Sequence, residues 1–244
     1  MPHFIATLLP LLGLMVVHVF GYRLKFLEGV PRSVWLSGAG GVSVAYVILH
    51  LLPELQEGQG HVERAAESGG LYFLKHHMYL MTLVGLVVFY GIERMAVTSR
   101  RGGKGTEDST PPSVFWIHIG SFALYNALIG YLLHKREEQD AEELLFYWVA
   151  MALHFLVNDF GLREHHKERY QAAGRWYLII ALGLGWTLGL LVEFSEAATA
   201  LLQAFLAGGI VLNVLKEELP EERESRFSAF LVGTAVYAFV LLLL

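Results

Sequence analysis

The chain has 244 residues, 55% of them hydrophobic, with no cysteine and a formal net charge of −5. Without cysteine there is no disulfide framework and no thiolate metal site, so any metal must be held by His, Asn and carboxylate groups; nothing basic enough for nucleic acid is present. Apolar runs of near-spanning length recur from end to end, which a soluble domain of this size would not need.

The chain reads as an all-α integral membrane protein, a single transmembrane domain over residues 1–244 with eight candidate spans. They are Phe4 to Tyr22, Val34 to Leu55, Leu74 to Arg94, Ser113 to Leu133, Leu144 to Leu162, Trp176 to Phe194, Ala197 to Leu215 and Phe227 to Leu244. The first has no basic residue before it and no small-residue cleavage pattern after it, which predicts a retained span rather than a secretory signal. Its His18 is expected to pack near the inner end.

Basic residues mark the cytoplasmic side of short loops. Arg23, Lys25 and Arg32 follow span one; Arg94, Arg100, Arg101 and Lys104 follow span three; Arg163, Lys167, Arg169 and Arg175 follow span five; Lys216, Arg223 and Arg226 follow span seven. The remaining connections hold only Arg64, Lys75, Lys135 and Arg136 among many acids. Both termini are therefore expected outside. Residues 95–112, rich in Gly, Ser and Pro toward their end, read as a flexible cytoplasmic loop. Trp35, Tyr90, Trp116, Trp176 and Tyr177 fall near span ends, as an interfacial belt requires.

Span two ends Ala39-Gly-Gly-Val-Ser-Val-Ala-Tyr-Val-Ile-Leu-His50-Leu-Leu-Pro53-Glu54, and span seven ends Ala207-Gly-Gly-Ile-Val-Leu-Asn213-Val-Leu-Lys-Glu-Glu-Leu-Pro220-Glu221. With one gap the two stretches match. Being five spans apart they run in opposite directions, so spans 1–3 and 6–8 read as an inverted repeat, the usual plan of alternating-access transporters. The glycine pairs permit close helix approach, and Pro53 and Pro220 are expected to close their helices at opposite surfaces.

The Gly-Gly-Val to His-Leu-Leu-Pro-Glu span two, span three ending in Gly91-Ile-Glu93-Arg94, the break after it, and the Gly-Gly to Leu-Pro-Glu span seven resemble the ZIP (Zrt/Irt-like) family of divalent metal transporters. The likeness covers nearly the whole chain. It implies an eight-helix bundle with spans four and five at its centre, moving zinc or a similar cation toward the cytoplasm. Members usually carry His-Asn-x-Pro-Asp/Glu-Gly in span four and His-Glu-x-Pro-His/Glu in span five. The corresponding stretches here are Tyr125-Asn126-Ala127-Leu128-Ile129-Gly130 and His154-Phe155-Leu156-Val157-Asn158. Asn126, Gly130 and His154 remain, Phe155 replaces a carboxylate, and both usual prolines are absent, so local bends are expected to be missing from both helices.

His154 and Asn158, four residues apart, share a helical face, and polar groups within a span usually line a route or meet partners. A divalent ion is expected at His154, Asn126 and Asn158, with Tyr125 or water completing the shell. With no acid there, binding should be weak. Asp159 lies on another face, toward the cytoplasm, at a depth comparable with His118. The two form an inner metal site or a proton relay, or else Asp159 is a structural carboxylate near Arg163. His50 and Glu54, with His61, His76 and His77 nearby, either collect cations at an outer mouth or are solvated helix ends. His165 and His166 read as part of a charged cytoplasmic surface.

No Gly-x-Ser-x-Gly elbow, phosphate-binding Gly-Lys-Ser/Thr loop or His-Glu-x-x-His helix occurs, so no enzyme and no cofactor are expected. The expected partners are the lipid bilayer and a divalent metal ion, with a homodimer left open. The expected function is a ZIP-like carrier with a carboxylate-poor site; the alternative is a non-transporting relative acting as a membrane partner or sensor.

Overall fold

A computed structural model of the protein describes residues 2–23, 33–69, 77–102, 112–139, 141–218 and 226–242. Within them the chain is helical and no strand occurs. The helices are α1 (Pro2–Phe20), α2 (Val34–Tyr46), α3 (Leu52–Gly69), α4 (His77–Gly102), α5 (Pro112–Gln139), α6 (Ala141–Arg169), α7 (Arg175–Leu191), α8 (Glu196–Glu218) and α9 (Phe227–Leu242). Six helical stretches are long and apolar enough to cross a membrane, with two shorter apolar helices at Phe4–Phe20 and Phe227–Leu241. That pattern marks a multi-pass membrane protein, because a helix satisfies its own backbone hydrogen bonds in lipid.

The proline expectation needs correction. Pro53 does not end its helix; α2 runs through a wide turn at Val47–Leu51 directly into α3, which reaches Gly69. Pro53 lacks an N–H and its ring presses on the carbonyl four residues back, and one π turn absorbs that conflict without stopping the helix. Pro220 lies outside the described residues, as do residues 103–111 of the expected flexible loop; 95–102 continue α4. The connection after span five is also helical. It turns at Lys167, whose φ of 40° is the single positive value among the described non-glycine residues, and passes through a π turn at Tyr170–Gly174 into α7.

The helices group into two compact units. Unit 1 holds Met1–Glu28 and Tyr90–Val192, hence α1, the second part of α4, and α5 to α7. Its core contains Phe115, Ile119, Phe122, Leu162, Tyr170 and Leu178. Gly130 and Gly185 sit where α5 crosses α7, and a Cβ on either would overlap the facing carbonyl of Leu182 or Ala127. On α1, Gly13 makes room for the Trp148 ring, whose Nε1 donates to the Pro10 carbonyl at 2.9 Å.

Unit 2 holds Gly29–Phe89 and Glu193–Leu244. Ser33 caps α2, accepting from the Leu36 amide at 3.1 Å, which satisfies one of the open donors of the first turn. Helices α2 and α9 cross at Gly41 and Gly233, and α4 and α8 cross at Gly85 and Gly208; at each glycine a Cβ would strike backbone of the other helix. Thr234 Oγ1 donates within its own α9 to the Phe230 carbonyl at 3.0 Å and lies 3.1 Å from the Gly41 carbonyl. In both units the outward faces are apolar, as with Leu83 and Val87 on α4, Ile180 and Leu184 on α7, and Val232 and Phe239 on α9. Trp35, Tyr90, Trp116, Trp176 and Tyr177 are all exposed.

Candidate functional site

Helices α5 and α6 of unit 1 bury a series of polar side chains between apolar ones, and α1 adds to it. The centre is His154. Its Nε2 lies 2.5 Å from the Tyr125 hydroxyl and 2.8 Å from Asn158 Nδ2. Both neighbours can donate, so Nε2 is the acceptor and its lone pair points between the two helices. Tyr125 is fully buried and His154 is 2% exposed. Near this cluster α5 stays unbroken, and the non-helical residue of α6 is Lys167, far along the helix. That agrees with the missing prolines.

Asn126 does not join His154. Its amide Nδ2 donates to the Phe122 carbonyl at 2.8 Å, which turns Oδ1 toward His18 Nε2, also 2.8 Å away. The other nitrogen of His18 lies 2.9 Å from both carboxylate oxygens of Asp159. Both imidazole nitrogens thus face acceptors and both must donate, which requires a doubly protonated ring. The two equal distances fit a carboxylate paired with an imidazolium. The ring of Phe155 covers His18 at a centroid distance of 4.5 Å. The residue standing where the resemblance leads one to expect an acid therefore shields a charge pair one turn on.

The expected pairing of His118 with Asp159 is likewise corrected. His118 Nδ1 lies 2.8 Å from His166 Nε2, and His118 Nε2 lies 3.1 Å from Glu93 Oε2. All three are buried. The order Glu93, His118, His166 links α4, α5 and α6, with the carboxylate at ion-pair distance from the His118 nitrogen that does not face His166. At the other end of α5, His134 Nε2 donates to the Trp186 carbonyl at 3.0 Å, and Trp186 Nε1 donates to Thr7 Oγ1 at 3.0 Å.

Sequence reasoning took His18 for packing and His166 for a surface residue, and passed over His134. Glu93 entered it only as part of a motif. The signal available for His18 was a lone ionisable residue inside an apolar span, which needs a counter-charge. In unit 2, the proposed outer-mouth residues have partners of their own. His50 stacks on Tyr46 at 5.2 Å, and Glu54 accepts from Gln203 at 3.0 Å. His61 pairs with Glu196 at 2.7 Å on an exposed surface; His76 and the side chains of His77 and His165 lie outside the described residues.

Among the described residues no three His, Asp or Glu side chains converge as a preformed metal centre. An ion at His154 would draw on imidazole, phenol and amide instead. No protein-family model and no curated protein matches the sequence.

Proposed function

We propose that the protein is a ZIP-like carrier that moves a divalent cation, zinc or a similar ion, toward the cytoplasm, as a bundle of eight spans with both termini outside. The observation that carries this reading is the cluster of Tyr125, His154 and Asn158, buried between two apolar helices with the imidazole lone pair directed at neighbouring donors. When an ion takes that lone pair, the phenol oxygen of Tyr125 and, after an amide flip, Oδ1 of Asn158 complete a neutral ligand set. Such a set binds a first-row ion weakly, which suits release more than storage. His118 and His166 on the same two helices, with Glu93 of α4, supply a second stop.

The inverted repeat receives support from the glycine crossings. If spans 1–3 and 6–8 are related, the α2 to α9 contact must recur as an α8 to α4 contact. Gly41 of α2 meets the Phe230 carbonyl of α9, and Gly208 of α8 meets the Thr82 carbonyl of α4. In the reverse sense, Gly233 of α9 meets Gly38 of α2, and Gly85 of α4 meets Phe205 of α8. The grouping agrees too, since each proposed pair of repeat mates falls within a single unit: α1 with α7, α2 with α8, and the first part of α4 with α9.

A second reading, a non-transporting membrane partner or sensor, is favoured by one fact: the His154 Nε2 that an ion would need is already held by two side chains. Uptake of zinc, cadmium, manganese and iron(II) into proteoliposomes separates the two. The carrier reading expects saturable uptake that His154→Ala abolishes without unfolding the protein. Absence of flux for every ion from folded wild type establishes the second reading in its place.

A further inference from the structure

The contacts of His18 are those a metal ion would make. Its ring faces a carboxylate through both oxygens, each at 2.9 Å, and an amide oxygen at 2.8 Å. The two acceptors come from different helices, α5 and α6, and the cation that joins them is carried on a third, α1. Beside the pair lies a small cavity, with room for about one water, lined by His18, Gly21, Asp159, Arg163 and Tyr170 among others. Tyr170 also lines this cavity, and its buried hydroxyl lies beside the Asp159 carboxylate. A buried phenol oxygen beside a carboxylate is a further oxygen that a cation held there could use.

We propose that Asp159, Asn126 and Tyr170 form a cation site whose occupant is the tethered imidazolium of His18. The side chain acts as a built-in cation, holding the carboxylate that would otherwise bind a divalent ion. Once His18 is removed, the remaining donors are carboxylate, amide and phenol oxygens, a hard set that suits Mn(II) better than a nitrogen-preferring ion. Arg163, whose guanidinium lies over the Phe160 ring at 5.4 Å, is the other positive group on the cavity wall and limits the affinity. The proposal concerns binding alone and stands whether or not the protein transports.

The test is Mn(II) binding to the purified full-length protein in detergent, read as loss of the free-ion electron paramagnetic resonance signal. His18→Ala is expected to bind one ion per chain at least tenfold more tightly than wild type, and His18→Ala/Asp159→Asn to lose the gain. His18→Lys, which restores a tethered cation, is expected to behave as wild type. Should His18→Ala fail to fold, His18→Gln takes its place, since its neutral amide still donates to the carboxylate, and the same gain is expected. Folded neutral variants with unchanged affinity overturn the proposal, as does a gain that survives Asp159→Asn.

Discussion

Gly185→Ala adds one methyl group at the tightest helix crossing of unit 1. The new Cβ would overlap the Ala127 carbonyl oxygen and lie 2.7 Å from Ala127 Cα, where two carbons rest at about 3.5 to 4.0 Å. Neither backbone can rotate away, so α5 and α7 must part by roughly 1 Å, which forfeits a large share of the packing across the crossing. Overpacking of this kind costs about 1–3 kcal/mol. The hydrogen bond from His134 Nε2 to the Trp186 carbonyl, at 3.0 Å and one residue along α7, is strained by the same movement, adding up to about 1 kcal/mol. Alanine is the better helix former by about 1 kcal/mol, which offsets part of the loss. A net destabilisation of about 1–3 kcal/mol is therefore expected. Gly120→Ala is the control, because a Cβ there has nothing within 4 Å. It should be neutral or slightly stabilising. Reversible unfolding in mixed micelles measures both. If Gly185→Ala is as stable as Gly120→Ala, the packing of unit 1 described above is wrong.

Two further substitutions follow from local geometry. Tyr125→Phe removes the 2.5 Å contact to His154 but leaves the Asn158 amide as donor, so a loss of about 1 kcal/mol is expected in the same assay; a loss above about 3 kcal/mol would mean that the imidazole is not otherwise satisfied. Lys167→Gly relieves the positive φ at the turn between α6 and α7, and should gain about 1 kcal/mol in unfolding free energy. A destabilised glycine variant would show that the lysine side chain holds that turn.

The sequence by itself determined the membrane class, because long apolar runs have few other stable outcomes and helices are what lipid permits. It located the apolar helices to within a few residues at most ends and singled out His154 with Asn158, since a fourfold spacing places both on one face whatever surrounds the helix. It misjudged Pro53 because whether a proline ends a helix or widens one turn depends on what packs beside it. Only the tertiary structure decided the partners. His18 and Asp159 are 141 residues apart, and His18 and Asn126 are 108 apart; no local periodicity relates them. Asn126 turns from His154 to His18 because one amide cannot serve both, and the Phe122 carbonyl takes its N–H. His118 meets His166 and Glu93, while Asp159 is held by His18. A buried charge is satisfied by whichever opposite charge the packing brings within about 3 Å, and that choice is made by three helices together.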